Sequence, residues 1–215
     1  MALTGLIMIG FLLMHMYGNL KMFLGPDSMD HYAHWLKGAT EDGGILYPIM
    51  PAGQFIWVFR AVLLLAIILH IWSAVTLWSI SNKAAGRGYK NKKRKVQTYS
   101  SRTMRWGGII IALFLIFHLL QFTIIPSQFG ADPSSPYSMV LHAFQQPFMV
   151  VIYAICMILV CMHIRHGFWS AFATLGGNLS AGSRSVLNGL AIFVAVVLYF
   201  GFMIMPLAVL FGWIA

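Results

Sequence analysis

Residues 55–80 read FIWVFRAVLLLAIILHIWSAVTLWSI, a run that holds one arginine, one histidine and no acid. At a helical rise of about 1.5 Å per residue it is roughly 39 Å long, more than the roughly 30 Å of a bilayer's hydrocarbon core. Its apolar side chains fall on every face of a helix rather than on one stripe, and they do not alternate as in a half-buried strand. The run is therefore expected to cross a membrane as a helix.

Working outward, four more runs meet the same test, at 3–24, 106–125, 140–170 and 186–213. The expected fold is an all-α integral membrane protein, one domain over 1–215 with five transmembrane helices. Segments of about ten residues with alternating polarity, the mark of a membrane β-barrel, are absent. The composition agrees: of 215 residues 60% are hydrophobic and 9% charged, against about 45–50% and about 25% in soluble domains. Disorder and collagen-like repeats are excluded on the same ground.

The formal charge of +9 would suggest a nucleic-acid partner on a soluble protein, but its placement points elsewhere. Nine of the fourteen Lys and Arg residues lie in 83–105, KAAGRGYKNKKRKVQTYSSRTMR, where there is no acid. The five acids, Asp27, Asp30, Glu41, Asp42 and Asp132, fall in 25–54 and 126–137. By the positive-inside rule the basic segment is cytoplasmic, which puts the N-terminus inside and the C-terminus outside. Residues 1–10 carry no charged n-region and the apolar run continues past Tyr17, so they read as a first span rather than a cleaved signal peptide. Cys156 and Cys161, both in the fourth run, read as packing residues, and no C-x-x-C-H occurs for covalent haem attachment.

An imidazole in hydrocarbon needs a partner or marks a site. Four of the eight histidines, His15, His70, His118 and His163, lie one each in the first four runs. Counting helical rise from the run ends places His15 and His118 roughly 10–14 Å below the outer end and His70 and His163 roughly 10–15 Å from the inner end. Two pairs at two depths, each drawn from two helices, are what bis-histidine ligation of two stacked haems requires, so the first four helices are expected to form a haem-holding bundle.

Three stretches then carry a family resemblance: FRAVLLLAIILHIWSAVTLW at 59–78, RWGGIIIALFLIFHLLQF at 105–122 and, most specifically, HIRHGFWSAFATLGGN at 163–178. The chain resembles, over nearly its whole length, the five-helix dihaem cytochrome b anchor subunit of succinate:quinone oxidoreductases and quinol:fumarate reductases. The resemblance implies that His70 and His163 hold a proximal haem b near the cytoplasmic face and that His15 and His118 hold a distal one. It implies a flavoprotein partner with FAD, an iron–sulfur partner with three clusters, menaquinone as substrate and a bacterial inner membrane, with dimerisation of the complex left open. It also implies that the basic segment and residues 171–185 dock the hydrophilic subunits.

Haem propionates buried in a membrane need cationic or hydroxyl partners. Arg165 and His166, close after His163, are candidates for the inner haem and Arg60 for the outer haem or the quinone. Arg102, Arg105, Ser73, Trp72 and Gln121 are weaker ones. For quinol chemistry the outer segment DSMDHYAHWLKGATED at 27–42 supplies Asp30, His31, His34, Lys37 and Glu41, of which His31, His34 and Glu41 are the candidate site. Trp35 packs on the ring or anchors at the interface. His142 reads as interfacial or quinone-facing, and Gly167, Gly176 and Gly177 serve close packing or a turn.

One departure matters: no span holds Asp or Glu, whereas some relatives carry an acid on the ligand-bearing helix, so quinol oxidation here is expected to be electrogenic. Two other readings stand beside this one: a dihaem b subunit of another quinone-linked complex such as a hydrogenase or formate dehydrogenase, and a haem-free polytopic transporter.

Overall fold

The structure, a computed structural model, describes residues 1–84 and 99–214. The basic segment at 83–105 falls largely outside them, as does the side chain of Arg102. Helices α1 (Ala2–Leu20), α2 (Pro26–Leu36), α3 (Gln54–Ala84), α4 (Tyr99–Leu119), α5 (Pro136–Phe144), α6 (Pro147–Thr174) and α7 (Ala181–Leu210) make up the fold, and no strand occurs among the described residues. Five stretches are long and apolar enough to span a bilayer: Ala2–Leu24, Gln54–Ser81, Met104–Ile124, Pro147–Thr174 and Ala181–Leu210.

The fourth apolar run, at 140–170 in the sequence, is divided in the structure. α5 ends at Phe144, two glutamines follow, and Pro147 opens α6 at its first turn. Proline suits that position because its missing N–H would have had no helical partner there. His142 consequently sits on a short helix outside the span. The third run ends in a π turn, Leu120–Ile124, followed by a 3₁₀ turn, Pro126–Phe129.

Residue pairs fix how the spanning helices run. Phe11 meets Phe59 and Gly5 lies beside His70, so α1 and α3 are antiparallel. Gly108 lies beside His163 and His118 beside Tyr153, so α4 and α6 are antiparallel. Met16 of α1 packs on Gly201 of α7. The α2 and α5 helices therefore share one end of the bundle, and the ends of α3 and α4 that flank the basic segment lie at the other.

α6 is the central helix, packed against α1, α4 and α7. Val150, Tyr153, Met157, Val160, Cys161 and Ile164 are buried along it at helical spacing. Ala191, Ala195 and Leu198 of α7, at i, i+4 and i+7, answer that face. In contrast Leu64, Leu65, Ile68 and Ile71 of α3 are exposed, as suits a helix whose outer surface meets acyl chains that are as apolar as leucine.

Side-chain caps hold the ends. Ser180 and Ser183 cap α7 reciprocally. Ser135 accepts the Ser138 N–H at the start of α5. Asp30 of α2 reaches the same start and accepts from the Tyr137 N–H at 2.9 Å and the Ser135 hydroxyl at 2.6 Å. A carboxylate on a helix N-terminus is favourable both as a hydrogen-bond acceptor and by its charge, and it ties α2 to α5.

Candidate functional site

The four span histidines meet in two pairs. His15 of α1 and His118 of α4 have ring centres 5.9 Å apart with planes at 84°. His70 of α3 and His163 of α6 have ring centres 6.3 Å apart with planes at 57°. Two imidazoles on opposite faces of one metal ion, each nitrogen about 2 Å from it, have ring centres roughly 6 Å apart. Among the described residues no three metal-binding side chains gather.

Helix geometry sets the separation of the pairs. Gly5 lies against the His70 ring and Gly108 against the His163 ring, at 3.6 Å and 3.8 Å from a Cβ placed on each glycine. His15 is ten residues beyond Gly5 on α1, and His118 is ten beyond Gly108 on α4. At about 1.5 Å per residue both helices give about 15 Å along the bundle.

The surroundings of each pair differ. Phe11 stacks on His15 at 5.3 Å and Phe202 lies at 5.8 Å. Phe114 and Phe122 flank His118 at 6.1 Å and 5.2 Å. This apolar collar is broken by one polar chain: His118 Nδ1 lies 3.1 Å from the Tyr153 hydroxyl, which donates to Gln121 Oε1 at 2.8 Å. Gln121 stands in the π turn that follows α4 and is buried. Turns of this kind recur at functional sites.

At the other pair, His70 Nδ1 lies 3.1 Å from the Thr4 hydroxyl, which donates to the Met1 carbonyl at 3.0 Å. His163 Nδ1 is buried without a hydrogen-bond partner among the described residues. A buried ring nitrogen left so costs free energy until a ligand pairs it. The two spacings and the held Nδ1 atoms of His70 and His118 fit two bis-imidazole haem sites.

The remaining sequence candidates scatter. His31, His34 and Glu41 are exposed on α2 and the loop after it, and no hydrogen bond or ring contact joins them to His15 or His118. Asp30, from the same segment, is taken up in capping α5. Beside Glu41, the Thr40 hydroxyl and then the Gly44 N–H hold the Asp42 carboxyl below its ordinary pKa. Trp35 stacks on Tyr32 at 6.3 Å. Arg60 is exposed and lies over the Trp57 ring at 4.9 Å. Arg105 lies over Trp78 at 5.4 Å. Arg165 and His166 are half-buried beyond His163.

A cavity of 260 Å³ lies between the π turn, the Pro126–Phe129 turn, α5 and the start of α6. Gln121, His142 and Gln146 supply its polar lining and Phe129, Phe148 and Met149 much of the rest. Gly130, at φ 78°, lets the chain pass close to the His142 ring; a Cβ there would lie 2.8 Å from Nε2. Sequence reasoning missed this cavity and the roles of Tyr153 and Thr4. Thr4 had a signal: it is eleven residues before His15, three helical turns on the same face of α1. No family model matches the chain, and no match was found among curated proteins or solved structures.

Proposed function

We propose that the chain is the dihaem cytochrome b membrane anchor of a quinol:fumarate reductase or succinate dehydrogenase in a bacterial inner membrane. It carries electrons between menaquinol near the His15–His118 pair and an iron–sulfur partner subunit at the basic end, which in turn serves a flavoprotein partner holding FAD. The observation that carries this reading is the pairing of four intramembrane histidines, at 5.9 Å and 6.3 Å, across four helices.

His15 with His118 would hold one haem b and His70 with His163 the other; bound there, each haem supplies a reversible one-electron couple. Phe11, Phe114, Phe122 and Phe202 exclude water from the first pair, which restricts proton access to its polar side. Arg165 and His166 are the groups for propionates near the second pair, and the outward stacking of Arg60 on Trp57 favours it less. For a quinol headgroup the cavity beside Gln121 and His142 has better support than the exposed His31, His34 and Glu41, because it is concave, mostly apolar and polar at few points.

The deciding experiment is a pyridine haemochrome spectrum with protein quantitation on the purified membrane complex. Two haems b per chain are expected, and none would overturn the proposal. His70→Ala and His163→Ala should each remove one haem, and His15→Ala and His118→Ala the other. Retention of two haems by all four variants would defeat the assignment.

A further inference from the structure

A histidine can ligate through Nε2 only when its remaining proton sits elsewhere, and a hydrogen-bond chain that ends on an obligate acceptor determines where. Two such chains occur here, on different helices. A threonine hydroxyl has one proton, and Thr4 donates it to the Met1 carbonyl at 3.0 Å. With that proton on the Met1 carbonyl, Thr4 Oγ1 is left to accept at 3.1 Å from His70, which makes Nδ1–H the donor.

The second chain is longer and obeys the same logic. Gln121 Nε2 lies 4.0 Å from Met149 Sδ. A thioether has no proton, so it accepts from the amide nitrogen, whereas an amide oxygen turned towards it would be unsatisfied. That favours Gln121 Oε1 towards Tyr153, whose hydroxyl proton is given to it at 2.8 Å. The Tyr153 oxygen is left as an acceptor, and His118 Nδ1–H is its donor at 3.1 Å. Reversing the Gln121 amide would reverse every member of the chain and leave His118 protonated on Nε2.

We infer that Thr4 and the Tyr153–Gln121–Met149 chain are tautomer-setting devices, holding His70 and His118 protonated on Nδ1 so that each keeps the Nε2 lone pair for ligation. Thr4, Tyr153 and Gln121 are positioning residues in this scheme. Thr4 acts on one member of the His70–His163 pair, and the Tyr153–Gln121 chain on one member of the His15–His118 pair. That the free nitrogen serves a haem iron rests on the function proposed above; the tautomers themselves do not.

The test is ¹⁵N NMR of the full chain labelled at histidine, purified in detergent with its native cofactor content and measured in the reduced, diamagnetic state. His70→Gln and His118→Gln assign the two resonances. Protonated Nδ1 at both positions is expected. Tyr153→Phe should move the His118 Nδ1 resonance in the haem-bound chain, and abolish the Nδ1 preference in chain without haem, while leaving His70 unchanged; Thr4→Val should do the converse, with Thr4→Ser restoring it. Protonated Nε2 at either position in the unmodified chain, or an unmoved His118 resonance in Tyr153→Phe, would overturn the inference. A second reading comes from the oxidised chain: Tyr153→Phe should shift one of two low-spin electron paramagnetic resonance signals and Thr4→Val the other. A chain purified without haem would refute the proposed function, while the nitrogen shifts would still decide the tautomers.

Discussion

Replacing Asp30 tests how the α2 and α5 helices are held together. Its carboxylate accepts at 2.6 Å and 2.9 Å from the Ser135 hydroxyl and the Tyr137 N–H. Hydrogen bonds to a charged group contribute about 1.5–3 kcal/mol each when well shielded, and an N-terminal helix cap about 0.5–2 kcal/mol. Asp30 is half-buried and water can replace part of each bond, so Asp30→Ala should cost about 2 kcal/mol rather than the full sum. Asp30→Asn should cost about half as much, because the amide oxygen can still accept from Tyr137 while the charge is lost. At about 1.4 kcal/mol per tenfold, 2 kcal/mol is roughly a thirtyfold change in the local opening equilibrium. Hydrogen exchange followed by mass spectrometry on the peptide spanning 135–144 reads it directly. Exchange at the Tyr137 amide should quicken about thirtyfold in Asp30→Ala and several-fold in Asp30→Asn, with α7 unaffected. Equal exchange in Asp30→Ala and the unmodified chain would show that α5 is capped without α2, and the argument from these two bonds would fail.

Three further outcomes are expected. Phe148→Trp, which adds bulk at the cavity beside Gln121 and His142, should lower menaquinol turnover at least tenfold with the haem content intact, whereas Glu41→Gln should leave turnover unchanged; steady-state assays on the assembled complex compare them. Gly201→Leu places a side chain where the Met16 side chain of α1 already lies; overpacking of that kind costs about 1–3 kcal/mol, read as a lowered unfolding midpoint in mixed micelles. Because hydrogen bonds from Thr40 and Gly44 depress the Asp42 pKa, Asp42 contributes stability above the ordinary carboxylate range that disappears as the pH falls through its lowered value. Asp42→Asn should flatten that acid limb of the stability curve.

The five helices were legible because lipid makes a simple demand: about twenty apolar residues in succession, satisfied internally by backbone hydrogen bonds. Their ends were less so. Residues 140–170 look continuous in hydropathy, and only the rule that proline opens helices marks the break at Pro147. The histidine pairing could be reached from helix rise alone, since depth is a linear count along each span. Angular position is not: His31, His34 and Glu41 lie at the right end of the bundle but are exposed. Gln121, ranked low in the sequence, is buried beside the first pair because a π turn changes the register after α4. Local hydropathy holds no record of that turn. Tyr153 carries no signal in the sequence for a similar reason: only the meeting of α4 and α6 gives its hydroxyl a histidine.

The supports of the two pairs are crossed. α1 supplies His15 to one pair and Thr4 to the support of the other. α6 supplies His163 to the second pair and Tyr153 to the first. α4 carries His118 in the first pair and sets Gly108 against the ring of His163 in the second. No single helix among these can rotate about its axis without disturbing both pairs, since residues about 15 Å apart along it are committed to different rings. α3 is the exception, because its ring contribution to the pairs is His70 alone and most of its surface faces outward. The arrangement therefore puts the rigid load on α1, α4 and α6, with α7 bracing α6 and α1 from behind. A displacement of α3 would reach the His70–His163 pair first and the His15–His118 pair only through the Phe59–Phe11 contact, which makes the His70–His163 pair the one more open to adjustment.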